Sequence, residues 1–297
     1  MNERHLKGYK YFCVTIFCLI LLGAFVRSMN AGLSCPDWPL CLGRIIPHYQ
    51  PRVYFEFLHR VLAGLISLAA VYFNFKIILN KSMPKSLKWI VSAALVLLVG
   101  QIILGGLTVL LRLNYGIVTS HLAMGTAFFE LSFWAYLSLR DILRDSNKST
   151  PTTTKSDPRV FTIVLVAAVY GQILLGGLVA SNYAGLVCPY FPLCEGSLIP
   201  TLHGLIGLQV IHRFGAYTLA TIIVIYTIYV FKRVDDLVMR RLVKWLLGLI
   251  ILQIGVGIAN IELQIPPLVQ VIHLGVAVLI LTVAVRLLYA SLRIRLS

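Results

Sequence analysis

Read for polarity alone, the chain alternates long apolar runs with shorter polar connections. Uninterrupted apolar stretches of about 20 residues, the length that crosses a bilayer, fall near 11–29, 53–79, 89–111, 117–139, 160–182, 205–231, 243–261 and 267–290. Each predicts a membrane-spanning helix, and together they take up most of the 297 residues. The first run lacks a small-residue cleavage site and continues to Arg27, which predicts a retained helix rather than a signal peptide.

Composition agrees. Hydrophobic residues make up 59% of the chain and charged residues only 12%, against about a quarter charged in a soluble domain, which excludes a soluble globule. The net charge of +15 would suit a nucleic-acid binder, but its distribution argues otherwise. Basic residues crowd alternate connections: Arg4, Lys7 and Lys10; Lys76, Lys81, Lys85 and Lys88; Arg140, Arg144, Lys148, Lys155 and Arg159; Lys232, Arg233, Arg240, Arg241 and Lys244; Arg286, Arg293 and Arg295. The other connections hold only Arg44, Arg52 and Arg112. The positive-inside rule puts the basic side and both termini in the cytoplasm. The expected surroundings are a lipid bilayer in the cell (plasma) membrane, with no nucleic acid.

Shifted against itself by 153 residues, the chain lays GLSCPDWPLC, from Gly32 to Cys41, over GLVCPYFPLC, from Gly185 to Cys194. The same shift pairs Gly23 with Gly176 and His59-Arg60 with His212-Arg213; one residue less pairs His121 with His273. The pattern predicts an all-α integral membrane protein: two tandem four-helix bundles, 1–145 and 159–297, joined by a cytoplasmic linker, 146–158. Each bundle has an even number of spans, so the two would be related by a pseudo-twofold axis along the membrane normal. A weaker echo, GQIILGG at 100–106, GQILLGG at 171–177 and LQIGVGI at 252–258, reads as small-residue helix packing.

Four histidines, His59, His121, His212 and His273, fall one to each even-numbered span at about the same depth from the non-cytoplasmic end. A single intramembrane histidine reads as an interhelical hydrogen bond. Four at matched places in a duplicated unit point instead to paired imidazoles, the common way to hold haem iron in a helix bundle. Neither half supplies a third strong ligand for zinc or copper at that depth, and no C-x-x-C-H run exists for covalent haem. Arg60 and Arg213 follow two of the histidines; a guanidinium there can pair with a haem propionate or snorkel to lipid phosphate.

The halves differ at one chemically telling position. Glu56 stands three residues before His59, on the same helix face, where the second half has Gln209 before His212. A carboxylate beside a porphyrin can move protons, which makes the first half the reacting one; the competing reading is a near-surface carboxylate paired with an arginine. Glu130, nine residues from His121, falls on the opposite helix face and reads as a packing or hydrogen-bonding residue. Cys35 with Cys41 and Cys188 with Cys194 lie in loops on the oxidising side, where a local disulfide in each half is expected; a shared four-cysteine metal site is the alternative. The first pair, with Asp37 and Trp38 between its cysteines, also suits a reversible dithiol, and the second suits a structural staple.

Taken together, E-x-x-H-R at Glu56-His59-Arg60, H-R at His212-Arg213, His121 and His273 in the last helix of each half, and the paired loop cysteines resemble the haem A synthase family over essentially the whole chain. The resemblance implies that His212 and His273 ligate a permanently bound haem b, while His59 and His121 flank the site where haem O enters as substrate. It further implies oxidation of the C8 methyl of haem O to a formyl group, by two hydroxylations and loss of water, with Glu56 as the acid or base. Haem O synthase (protohaem farnesyltransferase), oxidase assembly factors and an electron donor are the implied partners. A rival reading is a dihaem b-type cytochrome relaying electrons from quinol to an external acceptor; it shares the histidines, but a simple relay predicts equivalent sites rather than the Glu56/Gln209 difference. A transporter is a third reading, disfavoured because no span is broken at midplane.

Overall fold

Among the described residues, eight long helices carry the chain: α1 (Glu3–Ser28), α2 (Pro51–Leu79), α3 (Lys85–Leu110), α4 (Tyr115–Leu143), α5 (Arg159–Ser181), α6 (Gly204–Arg233), α7 (Leu237–Glu262) and α8 (Pro267–Ser291). All eight are long and apolar enough to cross a membrane, so the protein is a multi-pass membrane protein. The structure is a computed structural model that describes residues 1–143, 153–154, 156–197, 200, 202–293 and 295–296.

Local chemistry sets the helix ends. Asn2 caps α1, its side chain accepting from the His5 N–H at 3.1 Å, and Asp236 caps α7 by accepting from the Met239 N–H at 2.7 Å. Pro51 and Pro267 open α2 and α8, where a missing N–H costs nothing. At three exits the chain turns through left-handed Asn30, Arg112 and Gln264, and the next residue donates back to the last turn: Ala31 to Val26 at 2.9 Å, Leu113 to Thr108 at 2.7 Å and Ile265 to Asn260 at 2.6 Å.

Helix α1 begins well before its apolar run, because His5, Leu6 and Tyr9 of its first turns are buried by packing while Glu3, Arg4, Lys7 and Lys10 stay exposed. Tyr9 donates to Asn74 of α2 at 2.8 Å, and the rings of Tyr9, Phe12 and His5 lie 5.6, 5.5 and 5.2 Å from that of Phe73. His5, by sequence outside the spans, is thus a buried member of α1.

The chain divides into two compact units, Met1–Lys148 and Ser149–Ser297. In the first, α1 packs on α2 and α4, and α3 packs on the same two helices; in the second, α5 and α7 each pack on α6 and α8. Each unit is therefore a ring of four helices in which sequence neighbours are spatial neighbours. The expected linker 146–158 lies largely outside the described residues, as do Arg144, Lys148 and Lys155. Within the second unit, Thr153–Thr154 pairs in parallel with Arg295–Leu296.

Apolar side chains such as Leu68, Trp89, Val96 and Leu268 stand 66–76% exposed, which suits hydrocarbon rather than water. Inside, small hydroxyls are satisfied by their own helices: Thr126 donates to Leu122, Ser132 to Phe128 and Thr162 to Pro158, each at 2.7–2.8 Å.

Candidate functional site

Each of the four intramembrane histidines lies about two turns from the first residue of an even-numbered helix. Each puts its ring edge against a glycine of the preceding helix. A Cβ built on Gly23 would lie 3.0 Å from Cε1 of His59; on Gly105, 3.2 Å from that of His121; on Gly176, 3.0 Å from that of His212; on Gly257, 3.1 Å from that of His273. These glycines all precede the last residue of their helices by five positions: Gly23 and Ser28, Gly105 and Leu110, Gly176 and Ser181, Gly257 and Glu262. A side chain there would push the imidazole away, so glycine is what lets the ring sit flush with the neighbouring backbone.

Three of the glycines are preceded, one helical turn earlier, by a glutamine whose amide reaches the same ring. Nε2 of Gln101 lies 3.3 Å from Nε2 of His121, and Nε2 of Gln253 lies 3.3 Å from Nε2 of His273. Nε2 of Gln172 lies 3.1 Å from Nδ1 of His212 and donates to the His212 carbonyl at 2.8 Å. The glutamines belong to the G-Q echo that sequence reading assigned to packing. Packing accounts for the glycines; the fixed spacing of glutamine four residues ahead of glycine was the available signal for the rest.

His59 and His121 lie within electrostatic reach of one another in the first unit, and His212 and His273 in the second. Nδ1 of His59, His121 and His273 is buried with no hydrogen-bond partner. At His212 the Nδ1 is engaged by Gln172, which leaves Nε2. Paired imidazoles that each keep a ring nitrogen without a protein partner suit the two axial positions of a haem iron. Among the described residues, no three His, Cys, Asp or Glu side chains gather as a metal site of their own.

Over each pair lies a cysteine loop. Cys35 is bonded to Cys41 and Cys188 to Cys194, and the disulfides pack on Val53 of α2 and Val210 of α6. Arg60 and Arg213 reach up from the turn carrying the histidine and hold these loops by their backbones. Arg60 donates to the carbonyls of Asp37 and Leu40 at 2.7 Å and of Cys35 at 2.8 Å. Arg213 donates to those of Cys188 at 2.6 Å, Tyr190 at 3.0 Å and Leu193 at 3.3 Å. The guanidinium fork, with five N–H donors in one plane, suits several carbonyls at once. Both arginines thus tie the turn that carries the histidine to the loop above it.

The units part at the residue three before the histidine. Glu56 is 4% exposed, accepts from the Cys35 N–H at 2.8 Å through one oxygen and pairs with Arg60 through the other. Gln209 instead donates to the Gly185 carbonyl at 3.2 Å. The loops differ as well. Asp37 accepts from the N–H groups of Leu42 and Gly43, both at 2.7 Å; these bonds, that of Gly43 foremost, hold its carboxyl below the usual aspartate range. Its counterpart is Tyr190. Trp38 lies over Gly106, where a Cβ would come within 3.1 Å of the indole, one residue from the glycine that seats His121. Glu130 is buried farther along α4, 7% exposed.

The sequence model of a cytochrome oxidase assembly protein family matches residues 10–285. Curated relatives carrying the name heme A synthase include that of Shewanella oneidensis, 29% identical over 91% of this chain and 92% of its own length. That of Symbiobacterium thermophilum is 30% identical over 86% and 85%, and that of Rickettsia felis 24% identical over 92% and 94%.

Proposed function

The chain belongs to the cytochrome oxidase assembly protein family, and we infer that it is a haem A synthase, a membrane enzyme that oxidises the C8 methyl of haem O to a formyl group. Its relatives' shared name supports the activity. The observation that carries the reading to residues is the placing of two imidazole pairs, one pair per unit, each imidazole about two turns from the start of its helix, with ring nitrogens left unpartnered.

We assign the second unit to haem b, held by His212 and His273, and the first to haem O, flanked by His59 and His121. When bound, haem b supplies one-electron redox chemistry. The chain's own residues do the rest. The glycine seats fix how near each imidazole stands to the next helix. Glu56 is the one acid a helical turn from a site histidine, and it serves as acid or base in this reading. Its bonds to Arg60 and to the Cys35 N–H make the same carboxylate an anchor for the loop above the substrate. Arg60 and Arg213 keep the two loops in place. The arginine–lysine distribution supports a cell-membrane location with both termini cytoplasmic and the cysteine loops extracytoplasmic. Haem O synthase is the partner whose product this enzyme takes; each of the two hydroxylations is a two-electron oxidation that needs an external oxidant, and with dioxygen as that oxidant an electron donor is required as well.

The differences between units, Glu56 against Gln209 and Asp37 against Tyr190, support a synthase over a dihaem relay, which has no need of them. Extraction and chromatographic identification of the porphyrins in the purified protein tests the reading. The expected result is haem b together with farnesylated haem O or haem A; haem b alone, in two equal and tightly held copies, would overturn it.

A further inference from the structure

Between the first cysteine pair and α2 the chain exposes a short apolar surface: Ile45, Ile46 and Tyr49 stand 68–82% exposed. They do not hang from a loose loop. Cys41 and Arg44 exchange backbone hydrogen bonds at 3.0 and 3.1 Å around Leu42 and Gly43, both with positive φ, the form of a tight hairpin turn. Asp37 holds the N–H groups of the same two residues. Beyond the turn the chain lies against α2. Pro47 is buried, and its carbonyl accepts from the Tyr54 hydroxyl at 3.5 Å. The ring of Tyr49 meets that of Tyr54 edge-on at 5.0 Å, and Tyr54 lies 5.7 Å from Phe57. Ile45 and Ile46 therefore stand beside the first turn of a membrane-spanning helix, with an aromatic series leading onto it.

The ends of such a helix lie where the interfacial layer of a bilayer begins. Tyrosine rings gather in that layer, and an apolar surface bordered by basic residues binds it through buried area and attraction to anionic headgroups. Arg44 and Arg52 border this segment and are exposed; among the described residues no acid holds either one. The nearby acids are engaged, Asp37 by the turn and Glu56 by Arg60. The second loop differs in charge and not in apolarity. It has the same turn, Cys194 with Ser197 around Glu195 and Gly196, and Leu198-Ile199 stands in sequence where Ile45-Ile46 does. In place of Leu42, Arg44 and Arg52 it has Glu195, Ser197 and Leu205.

We propose that residues 42–52 form a lipid-docking surface: Ile45, Ile46 and Tyr49 seat in the interfacial layer of the leaflet on the cysteine-loop side, and Arg44 and Arg52 take the phosphates of anionic phospholipid headgroups. The loop that Arg60 holds over the first histidine pair is then fastened on two sides, to α2 by hydrogen bonds and to the bilayer by its apolar edge. With haem O as the substrate of the first unit, a point that rests on the function proposed above, the cover of the site stands where a farnesylated porphyrin dissolves.

The test is spin labelling of the full-length protein in vesicles, on a Cys13→Ala, Cys18→Ala background that leaves both disulfides in place. A nitroxide on Ile46→Cys should be more accessible to oxygen, which partitions into lipid, than to a water-soluble nickel chelate. The same order is expected for Leu65→Cys on an exposed face of α2 and the reverse for Lys81→Cys in a polar connection. Tyr49→Cys repeats the measurement should Ile46→Cys not fold. Vesicles of phosphatidylcholine with and without phosphatidylglycerol test the headgroup contact. Each arginine near an anionic surface strengthens attachment about fivefold, so phosphatidylglycerol should draw the Ile46→Cys label deeper, and Arg44→Gln with Arg52→Gln should remove the shift. A label on Leu202→Cys in the second loop should not respond. Nickel accessibility above oxygen accessibility in both Ile46→Cys and Tyr49→Cys, or labels immobilised and hidden from both reagents as in a protein contact, would overturn the proposal. A label that ignores phosphatidylglycerol would overturn the headgroup contact. The labels read placement and not turnover, so failure of the haem assignment shows in the extracted porphyrins and leaves these outcomes unaltered.

Discussion

Nη2 of Arg60 meets Oε1 of Glu56 at 2.6 Å across one turn of α2, with the Glu56 side chain 5% exposed. The pair joins two readings that the sequence kept apart, a carboxylate for proton transfer and an arginine at the outer surface. It also ties the residue beside His59 to a loop more than twenty positions away, since Arg60 holds the Cys35 and Asp37 carbonyls with its remaining donors.

Glu56→Gln makes the first unit resemble the second at this position. The amide is expected to turn its N–H toward the Gly32 carbonyl, as Gln209 does toward Gly185, so fold and haem content are retained. Turnover should drop by about 100-fold or more, the usual contribution of a positioned acid or base. Haem quantification alongside conversion of haem O measures both; normal turnover would remove Glu56 from the chemistry.

Alanine at the site histidines separates the units. His212→Ala is expected to abolish the stable b-type absorption spectrum, because the second unit loses an axial ligand. His59→Ala should keep that spectrum and stop formation of haem A. Optical spectra of the purified variants check this, and the reverse pattern would exchange the roles of the two units.

Gly176→Ala and Gly257→Ala place a methyl at 3.0 and 3.1 Å from the ring carbons of His212 and His273. Overpacking of this kind costs about 1–3 kcal/mol, and here the strain falls on the imidazole, so haem b content should fall with thermal stability. Gly248→Ala on α7 is the control: nothing lies within 4 Å of its Cβ, and helix propensity alone should stabilise it by up to about 1 kcal/mol. A thermal melt paired with the haem spectrum distinguishes the sites.

Asp37 makes the two loops differ in their response to acid. Its carboxyl is held below the ordinary value by the Gly43 and Leu42 N–H groups. A group depressed in the folded state stabilises fully above its unfolded pKa, about 3.9 for aspartate, and the contribution disappears as pH falls through the lower folded value. Reduction of Cys35–Cys41 by a phosphine should therefore accelerate at the acid end of the range. Reduction of Cys188–Cys194, whose loop has Tyr190 at that place, should not. Asp37→Asn should remove the contrast.

Much of this was legible before the structure. Eight apolar runs became eight helices, since a bilayer leaves the backbone few other ways to satisfy its hydrogen bonds. Matched histidines stood out because a duplicated chain displays its own comparison. What stayed hidden has physical reasons. Gln101, Gln172 and Gln253 were visible as an echo, but a bond between helices depends on which faces meet, and periodicity within one helix does not say. The acceptors of Arg60 and Arg213 were invisible for a deeper reason: main-chain carbonyls have no residue identity, so no motif marks them. The early start of α1 came from Asn2 and from aromatic packing against Phe73, a partner on another helix.

That arginine grip on carbonyls bears on how two copies of one fold come to do different work. Arg60 and Arg213 recognise the path of the loop and ignore its side chains, so Asp37 and Tyr190, or Trp38 and Phe191, can occupy the same place without disturbing the hold. Natural selection was thereby free to vary the side chains of one loop and leave the other alone, with the frame under both unchanged.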